Sequence, residues 1–348
     1  MATSQNTNGT PGRPRRRAVM GDVAKLAGVS HQTVSRVING STHVRPETRQ
    51  RVLAAMGRLD YRPNQAARAL VTGRSGALGV VSFDTTLYGP ASTLFAIEQA
   101  AHAAGYFITI VSLLAIDRAS VVAAIERLRL QGVEGILVIT PHESAAEALV
   151  NLPSGVPIVA VEAGRTDSVP LVAVDQLSGA VSATQLLLDL GHRTVWHVAG
   201  PHDFVEAQQR LEGWRATLEA AGAEIPPVLE GDWSPRSGYR LGQRLAQEDG
   251  VTAVFVSNDH MALGVLRALH EHGREIPREV SVIGFDDIPE AQYFMPPLTT
   301  VRQNFAEVGR GSLRLLLDVM HGGQARQHLA VAPELVVRRS TAPPPDGR

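Results

Sequence analysis

The chain has 348 residues, a net charge of -1, and 44% hydrophobic and 19% charged residues; it exceeds the roughly 100 to 200 residues of a usual single domain and suits a small domain beside a larger two-lobed one. It contains no cysteine, so disulfides, thiolate zinc sites and cysteine nucleophiles are excluded together, and no apolar run reaches the about 18 residues that a membrane span needs. The charge is split: residues 1 to 74 carry 13 Lys and Arg against 3 Asp and Glu, and the remainder 20 against 31, a basic head on an acidic body that fits a protein gripping polyanionic DNA at one end.

In chain order, residues 1 to 18 place Arg13, Arg15, Arg16 and Arg17 among Pro, Gly, Ser, Thr and Asn without hydrophobic periodicity, and are expected to be a disordered basic leader. No apolar stretch follows the arginines, so the segment does not read as a secretory signal and a cytoplasmic location is expected. Residues 19 to 62 are expected to form a helix-turn-helix domain with helices over 20 to 27, 31 to 39 and 46 to 58. Pro46 suits a first helical position, and Val52, Ala55, Met56 and Leu59 recur at helical spacing. Ala24 and Ala27 are small enough to let two helices cross closely, Gly28 permits a positive-φ turn, and Ser30 can cap the next helix. Val23, Val29, Val34, Val37 and Ile38 supply a compact core, which leaves His31, Gln32, Ser35 and Arg36 at the start of the second helix, where a recognition helix meets base edges. Arg36 can pair bidentately with guanine and Gln32 with adenine. A fourth helical stretch from Asn64 leads to a linker, and residues 63 to 76 are expected to be a hinge.

From Ala77 the pattern becomes apolar runs of strand length, 77 to 83, 107 to 113, 135 to 140, 157 to 162, 194 to 200, 253 to 259 and 280 to 287, alternating with helical stretches at 91 to 104, 119 to 130, 176 to 190, 206 to 221 and 259 to 272. Such alternation implies parallel sheets covered on both faces. The units are too many for one small sheet, so residues 77 to 340 are expected to form two lobes with a cleft at the carboxyl ends of the strands. Asn258 and Asp286 lie just past apolar strands, where such a cleft opens, and short polar side chains there suit hydroxyl-rich ligands. Phe83, Asp84, Leu87, Tyr88 and Pro90, after the first strand, are candidate lining on the facing side. None of the twelve histidines has a credible metal-site spacing, and neither a nucleophile elbow nor a phosphate loop nor a zinc-protease motif occurs. No metal, no cofactor and no catalytic residue is expected.

The strings DVAKLAGVSHQTVSRVING, TRQRVLAAMGRLDYRPNQAARAL, VFVSNDHMALGVLRALHEHG and VSVIGFDDIPEAQYFMPPLTTVRQNFAEVG resemble the lactose-repressor (LacI/GalR) family, over essentially Asp22 to about Arg339. The resemblance implies an all-α head on an α/β body of two doubly wound parallel sheets, like type I periplasmic binding proteins, and a transcription regulator rather than an enzyme. It implies that His31, Gln32 and Arg36 read bases and that Ser30, Thr33, Ser35, Asn39 and His43 contact the DNA backbone. Asn64 to Leu70 resemble the family's hinge helix, with Leu70 at the position that wedges into the minor groove. Two hinges side by side imply a homodimer, and a two-fold dimer implies a pseudo-palindromic operator in double-stranded DNA.

In the body the resemblance implies ligand contacts from Arg210, from Glu162 where many sugar-responsive members carry aspartate, from Phe305, and from Trp233, whose Gly-Asp-Trp-Ser setting is similar to that of galactoside-responsive members. The expected effector is therefore a saccharide, of β-galactoside type, that releases the protein from DNA. A corepressed or protein-partnered regulator is the alternative, and a periplasmic-type sugar-binding protein would share the body but not the basic head. After HLAVAPELVVRRS come TAPPPDGR and no leucine heptad, so a dimer rather than a tetramer is expected, with residues 341 to 348 a flexible tail.

Overall fold

The computed structural model describes residues 18–41, 43–62, 74–113, 117–139, 142, 149, 155–162, 169–323 and 328–345. The chain divides into two compact units, Met1–Ser75 and Gly76–Arg348. The leader and the hinge, with Asn64 and Leu70, fall outside the described residues except at their edges.

In the head, α1 (Met20–Ala27), α2 (His31–Ile38) and α3 (Pro46–Arg58) form as the apolar spacing predicts. The Val19 amide donates to the Asp22 carboxylate at 2.9 Å, closing the amino end of α1, and Gly28 ends that helix at φ 64°, a left-handed conformation that glycine adopts freely. Ser30 caps α2 by accepting from the Thr33 amide at 3.2 Å. Val23, Ala24, Ala27, Val34, Val37, Val52 and Ala55 close the core. Arg51 ties α3 to the end of α1, its Nη2 donating to the Ala27 carbonyl at 2.9 Å and the Gly28 carbonyl at 3.2 Å.

The body consists of two six-stranded sheets. The first lobe is built from β1 (Ala77–Phe83), α4 (Tyr88–Ala103), β2 (Phe107–Leu113), α5 (Arg118–Leu130), β3 (Gly135–Ile139), β4 (Ile158–Val161) and β5 (Leu171–Val174), with β11 (His328–Val331) returning late in the chain to pair with β5. Its strand order is β11-β5-β4-β3-β1-β2, all parallel. Alternate strand residues serve opposite faces: Val80, Leu137 and Val159 belong to one core, and Val81, Val138 and Ala160 to the other. This two-faced burial is why the strands read as continuous apolar runs.

The second lobe holds α6 (Gln176–Asp189), β6 (Trp196–Ala199), α7 (Val205–Ala221), β7 (Leu229–Glu230), α8 (Pro235–Gln247), β8 (Ala253–Val256), α9 (Asp259–Glu271), β9 (Ser281–Asp286), β10 (Thr299–Arg302) and β12 (Glu334–Val336), with strand order β12-β10-β9-β8-β6-β7. The strands of this sheet are parallel except β12, which runs antiparallel to β10 at the edge, a departure from the purely parallel sheet expected. An edge strand has one neighbour and can enter from either direction without a crossover helix.

Helix α10 (Phe305–Met320) follows β10 but packs on the first lobe, where a Cβ on Gly309 would stand 2.5 Å from the Ala96 backbone of α4. Among the described residues the chain therefore passes between lobes three times: between β5 and α6, between β10 and α10, and between β11 and β12. The tail expected to be flexible from 341 is docked at its start: the Ala342 amide donates to Ser281 Oγ at 3.0 Å, and its carbonyl accepts from Ser281 Oγ at 2.9 Å and pairs with His192 Nε2 at 3.0 Å. These bonds satisfy the hydroxyl and ring nitrogen of two buried side chains, which outweighs the loop-forming composition.

Candidate functional site

Two surfaces carry the candidate residues, one in each unit. On the head, Ser30, His31, Gln32, Arg36, Asn39 and His43 are exposed and Thr33 and Ser35 half-buried. Val34 and Val37 turn into the core, so the helical period leaves His31, Gln32, Ser35 and Arg36 outward. Ser30 Oγ and Thr33 Oγ1 are mutually hydrogen bonded at 2.9 Å, and Asn39 Nδ2 donates to Ser35 Oγ at 3.4 Å. The amino end of α2 has no acidic residue in its first turn, so its helix dipole faces outward without a negative side chain to oppose an approaching anion.

In the body a cavity of about 250 Å³ lies at the carboxyl ends of the strands, between the lobes. The first lobe contributes Leu87, Tyr88 and Pro90 from the start of α4, Ile139 from the end of β3, Glu162 after β4 and Phe305 from α10. The second contributes Glu206 and Arg210 from α7, Trp233, Asn258, His260 and Asp286. The structure thus brings together seven of the nine sequence-derived ligand candidates. Phe83 and Asp84 lie outside the lining: the Phe83 ring meets His142 edge-on at 5.0 Å, and Asp84 accepts from the Thr86 amide at 3.1 Å in a local turn. They sit before the chain bends into the cavity at Thr86, so nearness in sequence overstated their reach.

The polar residues form a connected network. Arg210 Nε donates to Gln176 Oε1 at 3.0 Å, Gln176 Nε2 to Gln303 Oε1 at 2.9 Å, and Gln303 Nε2 to Asp286 Oδ1 at 2.6 Å. Arg210 Nη1 donates to the Ser257 carbonyl, Nη2 lies 3.8 Å from Asp286 Oδ1, and the guanidinium stands 3.8 Å over the Phe285 ring. Gln176 and Gln303 flank two of the three interlobe crossings, so the network ties the cavity lining to those crossings. Burial raises Asp286 above the ordinary carboxylate range despite the arginine, and burial lowers Arg210. In both, desolvation outweighs pairing across 3.8 Å. Asn258 is engaged in holding the site: its Oδ1 accepts from the Met261 amide at 2.8 Å as the cap of α9, and its Nδ2 donates to the Trp233 carbonyl at 3.1 Å.

Trp233 lies against Gly200, where any Cβ would clash with the indole at 2.2 Å, and meets Phe204 edge-on at 5.6 Å. Its φ of 69° is one of a set of positive-φ non-glycine residues at the cavity that includes Glu162 at 53° and Asp286 at 112°. Strained backbone gathered around one cavity is a mark of a binding site. Glu162 Oε2 accepts from the Val174 amide at 3.3 Å, whereas its Oε1, Glu206 Oε2 and Trp233 Nε1 are buried without partners. Burial, reinforced by the Glu206 charge, pushes the Glu162 carboxyl up to about 8, and burial pushes Glu206 up to about 7 against the pull of Arg210.

Glu206, Gln176, Gln303 and His260 were absent from the sequence-derived set. Glu206 could have been found, because it precedes Arg210 by one helical turn and so shares its face. Gln176 and Gln303 carried no such signal, since their roles depend on where the chain changes lobes. Among the described residues no cluster of three ligating side chains could hold a metal ion, and no helix is long and apolar enough to cross a membrane.

Comparison with known proteins bears on both surfaces. Residues 19–64 match the family of bacterial regulatory proteins called lacI, and residues 184–341 match a periplasmic binding protein-like domain. The lactose operon repressor of Escherichia coli (strain K12) is 34% identical over 330 residues, 93% of this chain and 90% of its own. The HTH-type transcriptional repressor PurR of Mannheimia succiniciproducens is 35% identical over 329 residues, 93% of this chain and 98% of its own. Among solved structures, a lac repressor dimer bound to operator and the anti-inducer ONPF matches with a TM-score of 0.85 at 32% identity, covering 94% of this chain and 100% of that one. A complex of the transcriptional regulator CelR with cellobiose matches with a TM-score of 0.66 at 34% identity, covering 93% and 100%.

Proposed function

The chain belongs to the lacI family of bacterial regulatory proteins and is a DNA-binding transcriptional repressor, not an enzyme, and from this premise we propose that a saccharide bound between its lobes releases it from its operator. The observation that carries the saccharide is the cavity's chemistry: an indole wall beside buried, unpaired polar atoms of Glu162, Glu206 and Trp233. A sugar ring has an apolar face that suits the indole and hydroxyls that suit carboxylates and the indole N–H. A disaccharide with a β-linked galactose or glucose is our reading; the CelR–cellobiose complex, at 34% identity, favours including the glucoside.

On DNA, His31, Gln32 and Arg36 read base edges, while Ser30, Thr33, Ser35, Asn39 and His43 meet the backbone; Asn64 and Leu70, outside the described residues, are assigned to the hinge. The protein acts in the cytoplasm as a homodimer on a pseudo-palindromic operator. Support for the dimer comes from exposed apolar side chains, Phe95 at 66%, Tyr293 at 80% and Met295 at 93% exposure, which a second copy would cover. The solved lac repressor relative is itself a dimer on operator. Effector in the cavity changes the disposition of the lobes about the Gln176–Gln303 crossings, and through the paired first lobes decides whether the two heads bind DNA together. A coupling of about 1 to 3 kcal/mol lowers operator affinity by roughly 5- to 150-fold.

The test is fluorescence anisotropy on a duplex selected by the protein from a randomised pool, at fixed salt, with lactose, allolactose, galactose and cellobiose. Release by a disaccharide is the expected result. Tightening by any ligand would make the protein a corepressed regulator, and indifference to every saccharide would overturn the effector assignment.

A further inference from the structure

Glu162 and Glu206 approach the cavity from opposite lobes, one after β4 and the other in the first turn of α7. Each keeps one buried carboxylate oxygen without a hydrogen-bond partner. Trp233, only 8% exposed, adds an unpartnered Nε1 at the same cavity. That third orphan is an independent sign of a polar ligand, because buried polar atoms are otherwise satisfied.

Among the described residues neither glutamate forms an ion pair, and the Arg210 charge that lowers both is outweighed by burial. Arg210, one turn beyond Glu206, is committed to Gln176, to the Ser257 carbonyl and to Asp286. The other charged or titratable groups at the cavity are Asp286 at the end of β9, Asp232 before α8, His260 on α9 and Tyr88 on α4. Asp286 adds its charge to the burial that raises Glu206, and Glu206 does the same to Glu162. The Glu206 charge is felt at Glu162, and two buried carboxyls coupled in this way lose their protons one after the other, so that over an intermediate pH range the two together hold one proton.

We propose that Glu162 and Glu206 form a proton-sharing pair across the cleft that clamps one ligand hydroxyl, the protonated carboxyl donating to its oxygen and the carboxylate accepting its hydrogen. Each lobe then holds one side of the same hydroxyl, so ligand binding draws the lobes together only while the pair keeps its proton. The lifting of Glu206 to about 7 and Glu162 to about 8 places the loss of that proton just above neutral pH. Above that range both groups accept, neither donates, and effector binding requires uptake of a proton from solvent.

The identity of the hydroxyl rests on the saccharide reading; the pair itself does not, and two measurements on the full chain separate them. In thermal unfolding without ligand between pH 6 and 9, the wild type should lose stability as pH rises, Glu162→Gln and Glu206→Gln should each reduce that loss, and the double variant should abolish it. Identical profiles for wild type and double variant would overturn the pair. In calorimetry with cellobiose and lactose at pH 7 and 8.5, in phosphate and in Tris, the binding heat at pH 8.5 should differ between buffers and affinity should fall by up to about tenfold per pH unit. Buffer-independent heat with unchanged affinity would overturn the clamp. If neither disaccharide binds, the saccharide reading fails and the unfolding profiles alone decide for or against the pair.

Discussion

At the scale of the residue, opposite pKa displacements make this protein sensitive to both ends of the pH range. Glu162 and Glu206 titrate well above their ordinary value of 4.5, so the folded chain holds protons that the unfolded chain releases. Their contribution is full below about pH 4.5 and is lost as pH climbs through about 7 to 8. His197 behaves in reverse: stacked between Trp214 and Phe255 and fully buried, it is pushed down to about 3. Its neutral form supports the fold above about pH 6.5, and that support is lost as pH falls towards 3; urea unfolding at pH 7 and 4.5 should show a loss that His197→Leu reduces. Arg210→Ala would strand buried Asp286 with Gln303 as its remaining partner, and breaking a buried pair costs about 3 to 5 kcal/mol. The midpoint of thermal unfolding should drop by about 10 °C, and Arg210→Lys, lacking the planar fork, should recover little of it. The residue scale is also where reading the sequence fell short: Arg210, Trp233, Asn258 and Asp286 were legible because they follow apolar runs or sit in distinctive strings, while Phe83 and Asp84 differ from their neighbour Leu87 only in which way a turn points.

Elements follow their local signals where those signals concern a single segment. Ser30 caps α2 and Gly28 ends α1 as their chemistry dictates; Ser30→Ala should cost about 1 kcal/mol of head stability, seen as weaker operator binding across all sequences rather than altered preference. Helix α8 shows the opposite case. Its Gly238 and Gly242 read as helix breakers, yet they let α8 press against α9 so closely that a Cβ on Gly238 would stand 2.1 Å from the Met261 carbonyl, and one on Gly264 of α9 would stand 2.1 Å from the Pro235 carbonyl. Backbone cannot rotate away as a side chain can, so Gly238→Ala should destabilise by about 1 to 3 kcal/mol despite its better helix propensity. Equal or higher stability in denaturant titration would refute this account of the contact. The short strand β7 was beyond sequence reading for a related reason: two residues carry no period of their own, and only pairing with β6 makes them a strand.

For the whole molecule, the division of charge and the three interlobe crossings set the behaviour. A head with 13 basic and 3 acidic residues in the first 74 predicts operator affinity falling steeply with salt while saccharide affinity stays nearly constant, measurable by anisotropy and calorimetry between 50 and 300 mM KCl. Gln176 and Gln303 join two crossings to each other and to the cavity; replacing both with alanine should weaken the coupling between effector and operator more than it weakens either affinity alone, a test by paired titrations. The basic head, the helical core of Val23, Val34, Val37 and Val52, and the alternation of apolar strands with helices are determined by sequence alone, because charge, helical period and strand burial are properties of contiguous segments. The antiparallel β12, the return of α10 and β11 to the first lobe, the docking of Ala342 and the placing of Glu162 and Glu206 on one cavity were decided by tertiary structure. Each depends on contacts between residues far apart in the chain, and their energies exist only once the elements that carry those residues have come together.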